Sequence, residues 1–227
     1  MRTLRILAAS LAVTLVSLLA APSAEALTIT LFNGLDSITV TDGGAGDNSP
    51  VAGLVGASGT VGVFEFVVTA GVSDPISGSP GSPAMILSIE ALTFAGGTLT
   101  VALSDNSFAG TGTVATAGLF TPAPLSLLGL PLATTTSAVY ATYYGASNAE
   151  FDFGTLLTVQ AANGSATGNL PSGVGPYSLT QVVNLTSSTG VSTAAATLTV
   201  PDGGLALSLL GFALVGVEGL RRRFNGR

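Results

Sequence analysis

The chemistry open to this chain is narrow, because residues 27–200 contain no His, Cys, Lys or Arg. Catalysis by a nucleophile with a neighbouring basic side chain is therefore excluded there. Carboxylates remain, and EFDF (150–153) would place Glu150 and Asp152 on one face of a strand, opposite Phe151 and Phe153. Carboxylates about 6.5–9.5 Å apart suit an inverting glycosidase. A solvated acidic face opposite two core phenylalanines is the favoured interpretation, so we expect no enzyme.

A metal site in this stretch would have to use oxygen ligands, which suit a hard cation such as Ca²⁺. The sequence DGGAGDN brings Asp42, Asp47 and Asn48 together in one glycine-rich loop. The EF-hand pattern is not met, because Gly44 and Gly46 stand at the third and fifth positions. We predict a tight turn built by glycine and Asx residues, with a Ca²⁺ site as the alternative and no other cofactor.

Sugar ligands usually stack on exposed aromatic rings, and this chain has no tryptophan. Tyr140 and Tyr144 would share one face of a predicted strand with Thr142, while Tyr143 points the other way. The pair Tyr140 and Tyr144 is therefore the candidate glycan contact. Packing in the core or at a sheet edge is the favoured alternative.

Basic and acidic residues are segregated along the chain. The six basic residues lie near the two ends, which leaves the stretch 27–200 purely acidic. Such a surface cannot neutralise phosphates, so nucleic acid is excluded as a partner, and anionic membrane surfaces would repel it. With no cysteine, stability must come from the core, from bound ions or from a partner. The nine acids of this stretch are Asp36, Asp42, Asp47, Glu65, Asp74, Glu90, Asp105, Glu150 and Asp152.

The elements that position these residues are predicted to be strands, because apolar residues alternate with Thr, Ser and Gly. In GTLTVALS, for example, Leu99, Val101 and Leu103 fall on one face. Short alternating runs separated by Gly, Pro, Ser and Asn predict an all-β antiparallel sandwich, immunoglobulin-like or jelly-roll-like, as one domain over 27–200. A proline-rich apolar stretch at 121–136 is predicted to be a crossover loop. The predicted strands are 27–32, 37–41, 61–70, 84–92, 97–104, 139–144, 153–161, 177–187 and 192–200.

The N-terminus has the composition of a secretory signal peptide over residues 1–26. Arg2 and Arg5 precede an apolar run, and the sequence AEA then offers Ala24 and Ala26 as the small residues of a cleavage site. Cleavage by signal peptidase after Ala26 is the expectation. An uncleaved membrane anchor is the alternative.

The C-terminus, residues 201–227, has three parts in order. The sequence VPDGG (200–204) is followed by an apolar run at 203–220, about 18 residues or roughly 27 Å as a helix, near the lower limit for crossing a bilayer. A basic cluster follows and would fix the C-terminus on the cytoplasmic side. Glu218 interrupts the apolar run. The cluster consists of Arg221, Arg222 and Arg223.

This tail resembles the PEP-CTERM family of sorting signals in its VPD-type variant. The resemblance implies recognition and cutting near the motif by an exosortase, a membrane-embedded cysteine protease or transpeptidase, and release or transfer to the cell surface. A plain C-terminal membrane anchor is the alternative. It departs from the commonest family form at Asp202, where that form has glutamate, and at Gly203, where it has a second proline. The motif residues carried over are Val200, Pro201, Asp202, Gly203 and Gly204, and the basic stop is Arg221–Arg223.

Together these observations predict an exported, non-enzymatic cell-surface or matrix protein. The family resemblance implies bacteria that make exopolysaccharide and biofilm, with inner-membrane anchoring through the tail before surface display. A glycan- or Ca²⁺-binding adhesion module is the alternative function, and a carboxylate-dependent glycoside hydrolase is a more distant one.

Overall fold

A computed structural model of the chain describes residues 27–122, 135–161, 163–172 and 175–201. Thirteen strands account for the regular structure of this part of the chain, and all their pairings are antiparallel. Within the described ranges, no helix is long and apolar enough to cross a membrane. The strands are β1 Thr28–Phe32, β2 Ser37–Thr41, β3 Leu54–Val61, β4 Phe64–Val72, β5 Gly78–Ser79, β6 Ser82–Thr93, β7 Gly97–Phe108, β8 Thr113–Pro122, β9 Thr135–Gly145, β10 Thr155–Ala161, β11 Gly164–Asn169, β12 Tyr177–Ser187 and β13 Gly190–Thr199.

The strands form a two-sheet sandwich. Sheet A has the order β10-β9-β12-β7-β1-β2, sheet B has the order β11-β8-β13-β6-β4-β3, and β5 pairs only with β6. From β6 onward the chain changes sheet at every connection except β9–β10. As a result β12 lies between β7 and β9, and β13 lies between β6 and β8. This interleaving is that of a jelly roll, one of the two sandwich types expected from the sequence.

The core lies between the sheets and follows the predicted alternation. Leu99, Val101 and Leu103 of β7 are fully buried, as are the alternate apolar residues of β1 and β13. Each buried Leu, Ile or Val side chain among them removes enough apolar surface from water to contribute roughly 1.5–3 kcal/mol to folding. Successive side chains on a strand face opposite ways, so the alternating pattern alone indicates which face turns inward.

Three substantial strands were not predicted: β3, β8 and β11. Their sequences, LVGASGTV, TVATAGLFTP and GSATGN, are rich in glycine and alanine, which have low strand propensity. Residues 164–169 contain Gly164, Gly168 and Asn169, residue types that favour turns. They form β11 because β8 offers a free edge, with Ala166 opposite Thr116. Pairing with a neighbouring strand overrides local preference here.

Both ends of the described domain lie at the same end of the sandwich, the "terminal end". Thr28 of β1 pairs with Ser104, close to the end of β7. Val200, directly after β13, donates its amide to the carbonyl of Pro83, at the start of β6. The chain after β7 also reaches this place, because Ala109 N donates to the carbonyl of Pro80 at 2.8 Å. The hairpin connections β1–β2, β3–β4, β6–β7 and β12–β13 lie at the opposite end.

Candidate binding groove

Asp47 holds together the glycine-rich loop between β2 and β3. Its Oδ2 accepts a hydrogen bond from Gly43 N at 2.9 Å, and its Oδ1 accepts from Ser49 N at 2.9 Å and Gly56 N at 3.0 Å. Burial by itself raises the pKa of Asp47, but the three amide donors outweigh burial and hold the pKa below its ordinary value. The carboxylate is therefore a structural anchor.

Asp42 and Asn48 also serve the loop. Asp42 Oδ2 accepts from Gly53 N at 2.6 Å, and Asn48 donates its side-chain Nδ2 to Ser58 Oγ at 3.3 Å. The three predicted Ca²⁺ ligands thus bind backbone and neighbouring side chains, and the tight-turn prediction describes the loop. Across the described residues, no group of three or more Asp, Glu, His or Cys side chains could hold a metal ion.

The loop forms one wall of a groove on the outer face of sheet B. The groove has a volume of about 470 Å³ and lies over β3 and β4, at the edge of the sheet. Side chains of β3 and β4 that point away from the core form its floor, and residues 48–51 rise beside them. Its lining contains no titratable side chain: Asn48, Ser49, Pro50, Val51, Leu54, Gly56, Ala57, Ser58, Val67, Val68 and Thr69.

The polar side chains of the groove retain hydrogen-bonding capacity. Ser58 Oγ accepts from Asn48, which leaves its own hydroxyl proton available, and Asn48 keeps its amide oxygen as an acceptor. Ser49 Oγ likewise accepts from Val51 N at 3.1 Å and remains a donor. Apolar contact surface is offered by Val67, which is 45% exposed. The groove combines neutral donors and acceptors with an apolar floor.

Tyr140 and Tyr144 do not face solvent. Tyr140 is 0% exposed and donates its hydroxyl to the carbonyl of Thr197 at 3.2 Å across the sandwich, and burial raises its pKa. Tyr144 packs on Tyr177 with ring centroids 5.0 Å apart. The inward face of β9 carries both rings, so core packing, the alternative given for them, is correct. Neither ring offers a stacking surface to a sugar.

Glu150 and Asp152 do not share a strand face, because the segment between β9 and β10 is a loop. Phe151 has a left-handed backbone at φ 54, outside the extended range of a regular strand, and it lies between the end of β9 at Gly145 and the start of β10 at Thr155. Glu150 Oε1 accepts from Thr28 Oγ1 at 2.9 Å, over the outer face of sheet A. Phe153, predicted to be in the core, is 51% exposed. The arrangement predicted for a glycosidase pair is therefore wrong at the level of secondary structure.

Asp152 instead stabilises the turn that it belongs to. It accepts hydrogen bonds from the side-chain Oγ and from the backbone N of Ser147. The Ser147 hydroxyl, followed by the Ser147 amide, lowers the pKa of Asp152 below its ordinary value. This carboxylate is fully ionised near neutral pH, which removes it as a proton donor.

Asp105 is the titratable residue that sequence reasoning missed. It lies at the end of β7 and is 4% exposed. Burial raises its pKa to about 6, and the negative charges of Asp74 and Glu150 add to the rise, which the hydrogen bond from Asn106 N at 2.8 Å opposes. Extending the alternation of Leu99, Val101 and Leu103 by two residues would have placed Asp105 on the core face.

The tail motif begins inside the folded domain. Val200 is 1% exposed, whereas Pro201 is exposed. The predicted signal peptide with Ala24 and Ala26, the membrane-spanning run 203–220 and the remaining tail residues Asp202, Gly203, Gly204, Arg221, Arg222 and Arg223 lie outside the described residues.

Comparisons with known proteins return similarity to solved structures only. No family model and no curated protein matches the chain. TmCBM61 in complex with beta-1,4-galactotriose is similar over 67% of this chain and 90% of its own, at 10% identity and a TM-score of 0.30. TmCBM27, a carbohydrate-binding module with specific mannan recognition, is similar over 60% and 89%, at 9% identity and a TM-score of 0.28.

A third similar structure is the PA14 sugar-binding domain from an RTX adhesin. It matches 78% of this chain and 90% of its own, at 12% identity and a TM-score of 0.32. At such identities and TM-scores the likeness assigns neither a ligand nor an activity to this chain.

Proposed function

We propose that this domain is a non-catalytic binding module for a neutral saccharide, displayed outside the cytoplasm. The observation that carries the proposal is the groove on sheet B, whose lining joins apolar surface to amide and hydroxyl groups without any titratable side chain. Saccharides present hydroxyl groups and apolar ring faces, so they match both parts of this lining.

Charge narrows the class of saccharide. Residues 27–200 carry nine acids and no basic side chain, so an anionic polysaccharide would meet repulsion and no counter-charge. A neutral polysaccharide is not repelled and needs no counter-charge. We therefore expect binding to neutral polysaccharides that changes little with ionic strength, because no ion pair is made.

The absence of titratable groups from the groove favours binding over hydrolysis. Glycosidic cleavage requires a proton donor and a nucleophile or base beside the bond. Asn, Ser and Thr side chains in the groove supply hydrogen bonds but have no such carboxylates beside them.

Filling the groove tests the proposal. A Cβ added at Gly56 would lie 3.8 Å from Val68 O and 3.9 Å from Asn48 Cβ, which is ordinary contact, so the Cβ of Gly56→Val clashes with no backbone atom and the variant adds bulk at the groove. We expect at least a tenfold loss of affinity for the neutral polysaccharide found on a glycan array. Thr60→Val, on the same strand but outside the groove, is the matched control. Unchanged binding by Gly56→Val would refute the site.

We also propose that the chain is exported through residues 1–26 and processed in its tail by an exosortase-type enzyme, in association with exopolysaccharide or biofilm. The support for this proposal is the composition of residues 1–26 and the three-part order of the tail, and residues 27 and 201 leave the domain at the same end. The test is the mass of the native product. Loss of Arg221–Arg223, prevented by Pro201→Ala with Asp202→Ala, is expected, and retention of Arg227 would contradict processing.

A further inference from the structure

Val200 is fixed to the body by both of its backbone polar groups. Its N–H donates to the carbonyl of Pro83 at 2.8 Å, and its carbonyl accepts from Ser82 Oγ at 2.9 Å. The Val200 side chain belongs to the hydrophobic core. A residue with a buried side chain and both backbone groups bonded is part of the folded domain, whatever motif its sequence matches.

Thr199, the residue before Val200, is paired with a strand on each side. Thr199 lies opposite Ala84 of β6 and opposite Ala115 of β8. A peptidase must take the residues around a scissile bond in an unpaired, extended form, so a bond within this ladder becomes available only when the end of β13 opens. Pro201, by contrast, is exposed and has no amide hydrogen to place in a ladder.

We propose that the folded domain sets the N-terminal limit of tail cleavage, so that Val200 is a structural residue and cutting occurs only C-terminal to Pro201. The inference rests on the tail processing proposed above. In the cleavage the peptide C–N bond breaks. Water, or an amine in a transfer reaction, bonds to the acyl carbon, and the leaving nitrogen gains a proton.

Trimming of the full-length protein by a non-specific protease tests the limit without the native enzyme. Purified chain in detergent is incubated with proteinase K under native conditions, and the C-terminus of the surviving fragment is read by intact-mass spectrometry. Fragments that end at Pro201 or later are expected. A folded fragment that ends at Val200 or earlier would overturn the inference.

Two serines of β6 provide a matched pair of variants. Ser82→Ala removes the bond to the Val200 carbonyl, whereas Ser88→Ala removes a bond to Thr69 on the outer face, away from the junction. We expect trimming into β13 to become about fivefold faster in Ser82→Ala, the factor of one net hydrogen bond in a local opening, and to stay unchanged in Ser88→Ala. Equal rates in both variants would contradict the role of the Ser82 contact.

The native product separates this inference from the processing proposal. A surface form that ends at Pro201 or beyond, without Arg221–Arg223, supports both proposals, and one that ends at Val200 or earlier refutes the limit. If the native product retains Arg227, the processing proposal is refuted. The proteinase K experiment then still shows whether the domain protects Val200 from cleavage.

Discussion

Asp47 and Asp105 are the same residue type in one acidic domain, yet their pKa values move in opposite directions. Asp47 lies in a surface loop and receives three backbone amide hydrogens, so its pKa is lowered. Asp105 is buried at the end of β7, beside the negative charges of Asp74 and Glu150, and its pKa is raised to about 6. Amide donors stabilise the ionised form, whereas burial without a cation favours the neutral form.

The comparison shows how an acidic domain without basic side chains deals with its charges. Backbone N–H groups take the place that Lys and Arg hold elsewhere, and they do so where a glycine-rich loop can turn its amides toward one carboxylate. On a strand most amides are engaged in the ladder. Asp105, on β7, receives one backbone amide hydrogen, from Asn106 N at 2.8 Å, and this single bond does not offset the cost of burial.

Removing Asp47 should have the largest effect. Asp47→Ala deletes three hydrogen bonds to a charged acceptor, and we expect the free energy of unfolding to fall by about 3 kcal/mol at pH 7. Because the folded pKa is lowered, the part of this contribution that depends on the negative charge is present above about pH 4 and is lost as the pH falls through the folded pKa. Chemical unfolding at pH 7 and pH 2.5 measures it. A loss of less than about 0.5 kcal/mol at pH 7 would contradict the anchoring role.

Asp47→Asn sharpens the same prediction. The Asn side chain keeps Oδ1 as an acceptor for Ser49 N and Gly56 N but places an NH₂ group against Gly43 N. We therefore expect a fall in the free energy of unfolding smaller than that of Asp47→Ala. Because the loop forms a wall of the groove, Asp47→Ala should also weaken saccharide binding.

Asp105→Asn should raise the free energy of unfolding, whereas Asp47→Ala lowers it. The wild-type carboxylate has a raised folded pKa, so its stabilising proton is fully bound below about pH 4 and stability is lost as the pH rises through about 6. At pH 7.5 the variant should be more stable than wild type by about 3 kcal/mol, since the pKa rises from 3.8 to about 6 and each tenfold change in proton affinity is worth about 1.4 kcal/mol. The variant should also lose the stability change between pH 4 and 6. Chemical unfolding of both proteins between pH 4 and pH 7.5 measures the difference, and a variant less stable than wild type at pH 7.5 would refute the argument.

Gln181 tests what an unsatisfied buried polar group costs when no charge is involved. It is 0% exposed on β12, and neither of its amide atoms has a hydrogen-bond partner among the described residues. Gln181→Met keeps the volume and removes the polar atoms, so we expect stability to rise by about 1 kcal/mol at every pH. Thermal unfolding at pH 5 and pH 7.5 measures the gain, and a destabilised variant would show that the amide is satisfied in solution.

The regular strands of the core followed from sequence because alternation reports directly on burial. Leu99, Val101 and Leu103 could face only one way once β7 formed, and the Gly–Asx loop at 42–50 followed from turn chemistry. β8 and β11 could not be derived, since their glycine and alanine residues carry weak local preference and they become strands by pairing with neighbours. The order of strands within each sheet depends on contacts far apart in sequence.

The sequence by itself determined that residues 27–200 are acidic, lack nucleophile–base chemistry and alternate as strands. It also determined the three-part order of the tail. Only the tertiary structure decided that Tyr140 and Tyr144 are in the core, that Glu150 and Asp152 lie in a loop, and that Val200 belongs to the body. Residue type limits what a side chain can do, but burial and partners are set by which distant strands come together, and those contacts leave no local signal.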